Sequence, residues 1–252
     1  MAVFRGDFAS NMLGMNTSVS VIIPDAKPNC EMNVVYLLHG LSDNCSGWTR
    51  MTSIERYAIE SNCIVVMPEV QRSFYADMKY GVKYFSYIAV ELPAIMHKLF
   101  NVSIKRENTF IAGLSMGGYG ALKCAFTFPE KYAGCAAFSS ACDMQFNINE
   151  NYISTLEIGE LKAVYGNDLK IGDENDLFVL STKANSSELK PRIMMTCGTQ
   201  DFLYEQNVRM KAHIEALDFE YKYEEWEDEH TWRFWDASIQ LAFDFFFDSE
   251  ED

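Results

Sequence analysis

The chain has 252 residues, 48% of them hydrophobic and 14% aromatic, which suffices for one sizeable core and a thick interior or an apolar pocket. Its formal charge is -15 at pH 7, a surface that repels polyanions, so neither nucleic acid nor an anionic membrane is an expected partner. No apolar run is long enough to span a bilayer, and the opening "MAVFRGDFASN" lacks the basic start and apolar run of a secretory signal. A cytoplasmic location is therefore expected. The seven cysteines are scattered without a C-x-x-C and read as free, mostly buried thiols. The four histidines form no H-x-x-x-H pair, and no close cysteine pair has ligand spacing, so no metal is expected.

Taken in chain order, "AVFRGDFAS" and "TSVSVIIP" alternate apolar and polar residues around the loop-like "NMLGMN" and predict an antiparallel strand pair. "NVVYLLHG" and "CIVVMPEV" are short continuous apolar runs, the pattern of strands covered on both faces, with a helix at "TSIERYAIESN" between them. "YFSYIAVELPAIMHKLF" has apolar residues at three- and four-residue spacing and predicts a helix that Pro93 kinks or opens as its first turn. Further strands are predicted at "NTFIAGLS", "YAGCAAFSS", "RIMMTCGTQD" and "YKYEEWEDEH". Helical patterns follow at "MGGYGALKCAFTF", "YEQNVRMKAHIEAL" and "TWRFWDASIQLAFDFFF". This alternation predicts an α/β fold, a mostly parallel, doubly wound sheet of about eight strands with helices on both faces, in a single domain over residues 1–252. Residues 142–190 break the alternation with a polar, acidic, glycine-interrupted stretch. They read as a lid-like insertion over the strand ends, with a short helix at "LFVLSTKAN".

Gly113-Leu114-Ser115-Met116-Gly117 fits G-x-S-x-G between a buried strand pattern and a helical one. A nucleophile on so sharp a turn leaves no room for side chains two residues to either side, which is why both positions want glycine. A serine hydroxyl attacks only when a base takes its proton. His230 follows the last strand and precedes the last helix, the late position expected of that base. His39 comes too early in this order, and His97 and His213 fall within amphipathic helices. The carboxylate that orients the base is expected at Asp201, at the carboxyl end of "RIMMTCGTQ", where ligand-facing residues of such sheets sit. Asp228 competes but lies awkwardly close to His230 along one loop, while Asp173 and Asp176 fall in the polar insertion and read as solvated. The negative charge of a tetrahedral intermediate needs backbone N–H donors. Met116, at a helix N-terminus, is one candidate; Leu41, in the loop after the first covered strand, is the other.

With these residues in place the chain resembles the esterase D branch of the α/β-hydrolases, most closely its tributyrin-esterase and acetyl-esterase group. The resemblance rests on "LGMNTSVSVIIP", "VVYLLHGLSDNCSGWTR", "IVVMPEVQRSFYADMKYG", "YFSYIAVELP", "FIAGLSMGGYGALK", "CGTQDFLY" and "EHTWRFWD", almost from end to end of the chain. It implies an α/β-hydrolase fold with Ser115 as nucleophile, Asp201 as acid, His230 as base, and Leu41 and Met116 as oxyanion donors. It implies a serine carboxylesterase that needs no metal or other cofactor, acts on a small-molecule ester and forms a homo-oligomer in many relatives. Short acyl esters are the first expectation. Feruloyl or cinnamoyl esters, which Phe146 and Tyr152 make possible if the insertion supplies aromatic contacts, and S-formylglutathione are alternatives. A hydrolase-fold binding protein without catalysis would usually lack a member of the triad, and all three are present. Trp48, Phe74, Tyr75 and Tyr119 lie beside the motifs and could line a pocket or fill the core.

Overall fold

The computed structural model describes residues 1–25, 31–150 and 158–247. Strands β1 (Ala2–Ser10) and β2 (Met15–Ile23) form the expected antiparallel hairpin, in register from Ala2 opposite Ile23 to Ser10 opposite Met15. The ladder runs two residues further into "NMLGMN" than the alternation suggested, because Gly14 at φ +64° closes the turn with its N–H on Ser10 O at 2.9 Å. β3 (Asn33–Leu38) leads through α1 (Gly47–Met51) and α2 (Ile54–Glu60) to β4 (Cys63–Pro68). α3 (Tyr84–Ser86) runs through a π-helical turn at Tyr87–Glu91 into α4 (Leu92–Phe100), with Pro93 in its first turn. Pro93 has no N–H to offer the carbonyl four residues back, and that carbonyl, Ala89 O, takes Lys131 Nζ instead at 3.0 Å.

β5 (Thr109–Leu114) is followed by α5 (Met116–Thr127) and β6 (Gly134–Phe138), then by α6 (Met144–Asn149), α7 (Ile158–Tyr165) and α8 (Leu177–Ala184). β7 (Arg192–Gly198), α9 (Tyr204–Glu215), β8 (Tyr221–Trp226) and α10 (Trp232–Phe247) complete the described chain. The strands make one 8-stranded sheet in the order β1-β2-β4-β3-β5-β6-β7-β8, parallel from β4 to β8. This is the α/β-hydrolase arrangement. The chain leaves β3 in one direction to β4 and then returns to its other side at β5, so the sheet's switch point lies between the carboxyl ends of β3 and β5.

Two cores sandwich the sheet. Successive strand residues point to opposite faces: Val34, Tyr36 and Leu38 join α4, α5, α8 and α9, whereas Val35 and Leu37 join α1, α2 and α10. Each fully buried aliphatic side chain of this set contributes about 1.5–3 kcal/mol. β8 differs from expectation: it is an edge strand, partly exposed along its length, so it is not covered on both faces. The region 142–190 also holds more structure than the single helix expected. α6 and α7 were hidden by short length and polar surroundings, although Leu161, Val164 and Tyr165 recur at helical spacing and are buried. Tyr152 lies outside the described residues. Six cysteines are free and buried among the described residues, and no described helix is long and apolar enough to cross a membrane.

Candidate active site

Ser115 stands between β5 and α5 at φ +53° and ψ −117°, a conformation that an L-residue adopts only under constraint. The constraint is visible. Ser115 N donates to Phe138 O at 2.8 Å, and Ser115 O accepts from Tyr119 N at 3.1 Å and Ala141 N at 3.2 Å. A Cβ on Gly113 would land on the Gly117 carbonyl and 2.9 Å from Leu38 Cβ; one on Gly117 would land on Leu38 O and 2.8 Å from His39 O. Both glycines of the motif are thus required by close backbone approach, which lets α5 start directly against the end of β3.

Asp201 follows β7 and is buried. Its Oδ2 accepts from His230 Nδ1 at 2.8 Å and its Oδ1 from Leu203 N at 2.8 Å, so both oxygens are held. With Nδ1–H committed to the carboxylate, the His230 Nε2 lone pair is left for a proton. The ring is wedged between Phe202, centroids 4.6 Å apart, and the edge-on Trp235 at 4.8 Å. Asp228 is engaged elsewhere: Arg233 donates Nη2 to its Oδ1 at 2.8 Å and Nε to its Oδ2 at 3.1 Å, while Glu229 N caps Oδ1 at 2.8 Å. The Arg233 guanidinium holds the Asp228 carboxyl below the ordinary aspartate value. Asp176 caps α8 through Phe178 N, and Asp173 is an exposed partner of Lys183.

The other histidines are likewise occupied. His97 Nδ1 bonds Val102 O at 2.9 Å, and His213 Nε2 pairs with Ser181 Oγ at 3.0 Å. His39 has a part that sequence reasoning missed. It is buried, its Nδ1 bonds Gly40 O at 2.8 Å, and its Nε2 meets Val70 N at 3.1 Å. The Gly40 carbonyl and the Leu41 N–H belong to one planar trans peptide and point in opposite directions. By gripping the carbonyl, also bonded by Asp43 N at 3.2 Å, His39 turns the Leu41 N–H the other way. Among the described residues neither Leu41 N–H nor Met116 N–H has a protein acceptor. The His-Gly pair itself was the available signal.

Gly40, Leu41, Ser115, Met116 and His230 all line one cavity of about 750 Å³ at the switch point. Phe74, Phe202, Leu203, Trp232 and Trp235 supply apolar walls, with Arg72 and Asp43 as the charged lining. Of the aromatics left open by the sequence, Phe74 reaches the cavity, whereas Trp48, Tyr75 and Tyr119 are core residues. Phe146 lies under the Arg209 guanidinium at 4.3 Å and is not part of this lining. Chemically the arrangement offers a strained hydroxyl, an oriented imidazole and two free N–H donors around one space.

A family model described as "Putative esterase" matches residues 10–246. An acetyl esterase of Caldicellulosiruptor saccharolyticus is 32% identical over 260 residues, covering 97% of each chain. Among solved structures, a fluorophosphonate-binding serine hydrolase of Staphylococcus aureus superposes with a TM-score of 0.90 at 33% identity, over 98% of this chain and 99% of that one. An S-formylglutathione hydrolase of the same organism superposes with a TM-score of 0.87 at 32% identity, over 98% of this chain and 99% of that one.

Proposed function

Because the chain belongs to the esterase family and is a carboxylic ester hydrolase, we propose that Ser115, His230 and Asp201 form its catalytic triad, acting on short-chain acyl esters of neutral small molecules. The observation that carries this reading is the 2.8 Å bond from His230 Nδ1 to the buried Asp201 carboxylate, in a cavity shared with the strained Ser115. His230 Nε2 takes the Ser115 Oγ proton as the oxygen attacks the ester carbonyl. The N–H groups of Leu41 and Met116 hold the resulting oxyanion, each worth on the order of 3 kcal/mol. The intermediate collapses as His230 protonates the departing alcohol. Water, deprotonated by the same imidazole, then releases the acid.

The electrostatics favour a neutral substrate. Arg72 is the sole guanidinium or ammonium in the described cavity lining, and Glu160 already holds it through Nε at 2.6 Å and Nη2 at 3.0 Å. An anionic thioester such as S-formylglutathione would compete with that carboxylate and approach a chain of net charge -15. Aryl esters form the second reading, supported by the walls from Phe74, Phe202, Trp232 and Trp235. We also infer a cytoplasmic location, a reading supported by the six free cysteines among the described residues.

Turnover of p-nitrophenyl esters from acetate to octanoate, with methyl ferulate and S-formylglutathione alongside, tests this. We expect kcat/KM to peak between acetate and butyrate and Ser115→Ala to fall to background with its circular dichroism unchanged. A peak on ferulate or S-formylglutathione would move the substrate class; retained Ser115→Ala activity would remove the nucleophile.

A further inference from the structure

One buried cation belongs to no step of this chemistry. Lys123 lies on α5, two turns after Ser115, and is 1% exposed. No carboxylate among the described residues pairs with it. Its Nζ donates to Asn175 Oδ1 at 2.6 Å and Tyr75 O at 3.1 Å, and sits 4.5 Å from the centre of the Phe85 ring. Burial draws its pKa down to about 8, with Cys124, Asp77 and Glu174 pulling the other way. An ammonium kept in such a place is costly, and a hydrophobic side chain would fill the same position without that cost.

Its two acceptors show what it joins. Tyr75 and its neighbour Phe74 both have φ +49°, and Phe74 forms a wall of the catalytic cavity. The Tyr75 ring lies against Gly120 of α5, where a Cβ would collide with it, and its hydroxyl donates to His39 O at 2.9 Å. His39 in turn aims the Leu41 N–H through the Gly40 carbonyl. Asn175, in the turn before α8, donates Nδ2 to Ile171 O at 2.6 Å, and its carbonyl accepts from Tyr119 OH of α5 at 2.6 Å.

We propose that Lys123 is a positioning residue that sets the Leu41 N–H against the Met116 N–H, fastening the strained Phe74-Tyr75 segment and the 171–176 turn to the helix that carries the nucleophile. The chain of contacts runs from Lys123 Nζ to the Tyr75 carbonyl, from the Tyr75 hydroxyl to His39 O, and from the His39 imidazole to the Gly40-Leu41 peptide. One donor of the oxyanion pair begins α5; the other is referred to α5 by Lys123. The assignment rests on the proposed catalytic roles and adds a residue that touches neither substrate nor reacting atoms.

An oxyanion matters in the transition state and not in substrate binding, so the role has a kinetic signature. On p-nitrophenyl acetate, Lys123→Met should lower kcat on the order of 10- to 100-fold with KM within about threefold, since small misplacements of catalytic groups cost that much. Lys123→Gln, which keeps an N–H donor, should recover part of the loss. Tyr75→Phe cuts the same chain further along. Its effect on kcat should therefore be non-additive with that of Lys123→Gln, and this pair also serves if Lys123→Met does not fold. Folded Lys123 variants with wild-type kcat, or additive losses in the Lys123→Gln/Tyr75→Phe cycle, would overturn the proposal. Wild-type turnover is the control: its absence would overturn the esterase reading instead.

Discussion

At the residue scale, the two aspartates near His230 have different tasks. Asp201 gives one oxygen to the imidazole and one to Leu203 N, while Asp228 is gripped by Arg233 and braces the loop that presents His230. Asp201→Asn should lower kcat by orders of magnitude, since an amide at this position favours the wrong tautomer. Asp228→Asn should keep kcat within about tenfold and act on stability instead. The sign follows from its depressed pKa. Stabilisation by the charged Asp228 is fully present above the unfolded aspartate value and is lost as pH falls through the lower folded value. The gap in melting temperature between wild type and Asp228→Asn should therefore close in acid; a gap that stays constant would contradict the ion pair's part. The sequence singles out Ser115, Asp201 and His230 as candidates because each sits at an element boundary with a stated chemical need. The place of His39 could not, because it depends on which carbonyl its ring reaches.

At the element scale, the eight described strands were legible, but only the continuous apolar runs of β3 to β7 also reported burial; the alternation of β1 and β2 and the run at β8 marked strands whose exposure depends on their place towards the sheet edges. α6 and α7 were not, because eight or fewer residues in a polar stretch give too few turns for a period to stand out. α7 nonetheless bears on the cavity. Lys79 N and Tyr80 N bond the Val164 and Ala163 carbonyls at 2.9 Å near its carboxyl end, while Glu160 near its start holds Arg72 at the cavity wall. Glu160→Gln should loosen only the end nearest the cavity. We expect the butyrate-to-acetate ratio of kcat/KM to change by roughly fivefold, about 1 kcal/mol of discrimination. The melting temperature should barely move, because a half-exposed ion pair contributes little to stability. An unchanged ratio across the acyl series would separate α7 from substrate choice.

At the scale of the whole molecule, the fold explains why residues far apart in sequence meet. Leu41, Ser115, Asp201 and His230 follow β3, β5, β7 and β8, and parallel strands put all four carboxyl ends on one edge of the sheet. The antiparallel β1–β2 hairpin extends the opposite flank and contributes nothing to the cavity lining. Six cysteines and Lys123 are other reactive groups of the described chain, but all are buried, and burial raises the thiol pKa of every one of Cys45, Cys63, Cys124, Cys135, Cys142 and Cys197. Among the described residues Ser115 is therefore the expected site of reaction. The direct measurement is to treat the native protein with an alkyl fluorophosphonate and map the adduct by peptide mass spectrometry. The account predicts one phosphonyl group per chain, on the peptide containing Ser115, with activity lost in step; inactivation with the label on any other residue would contradict it.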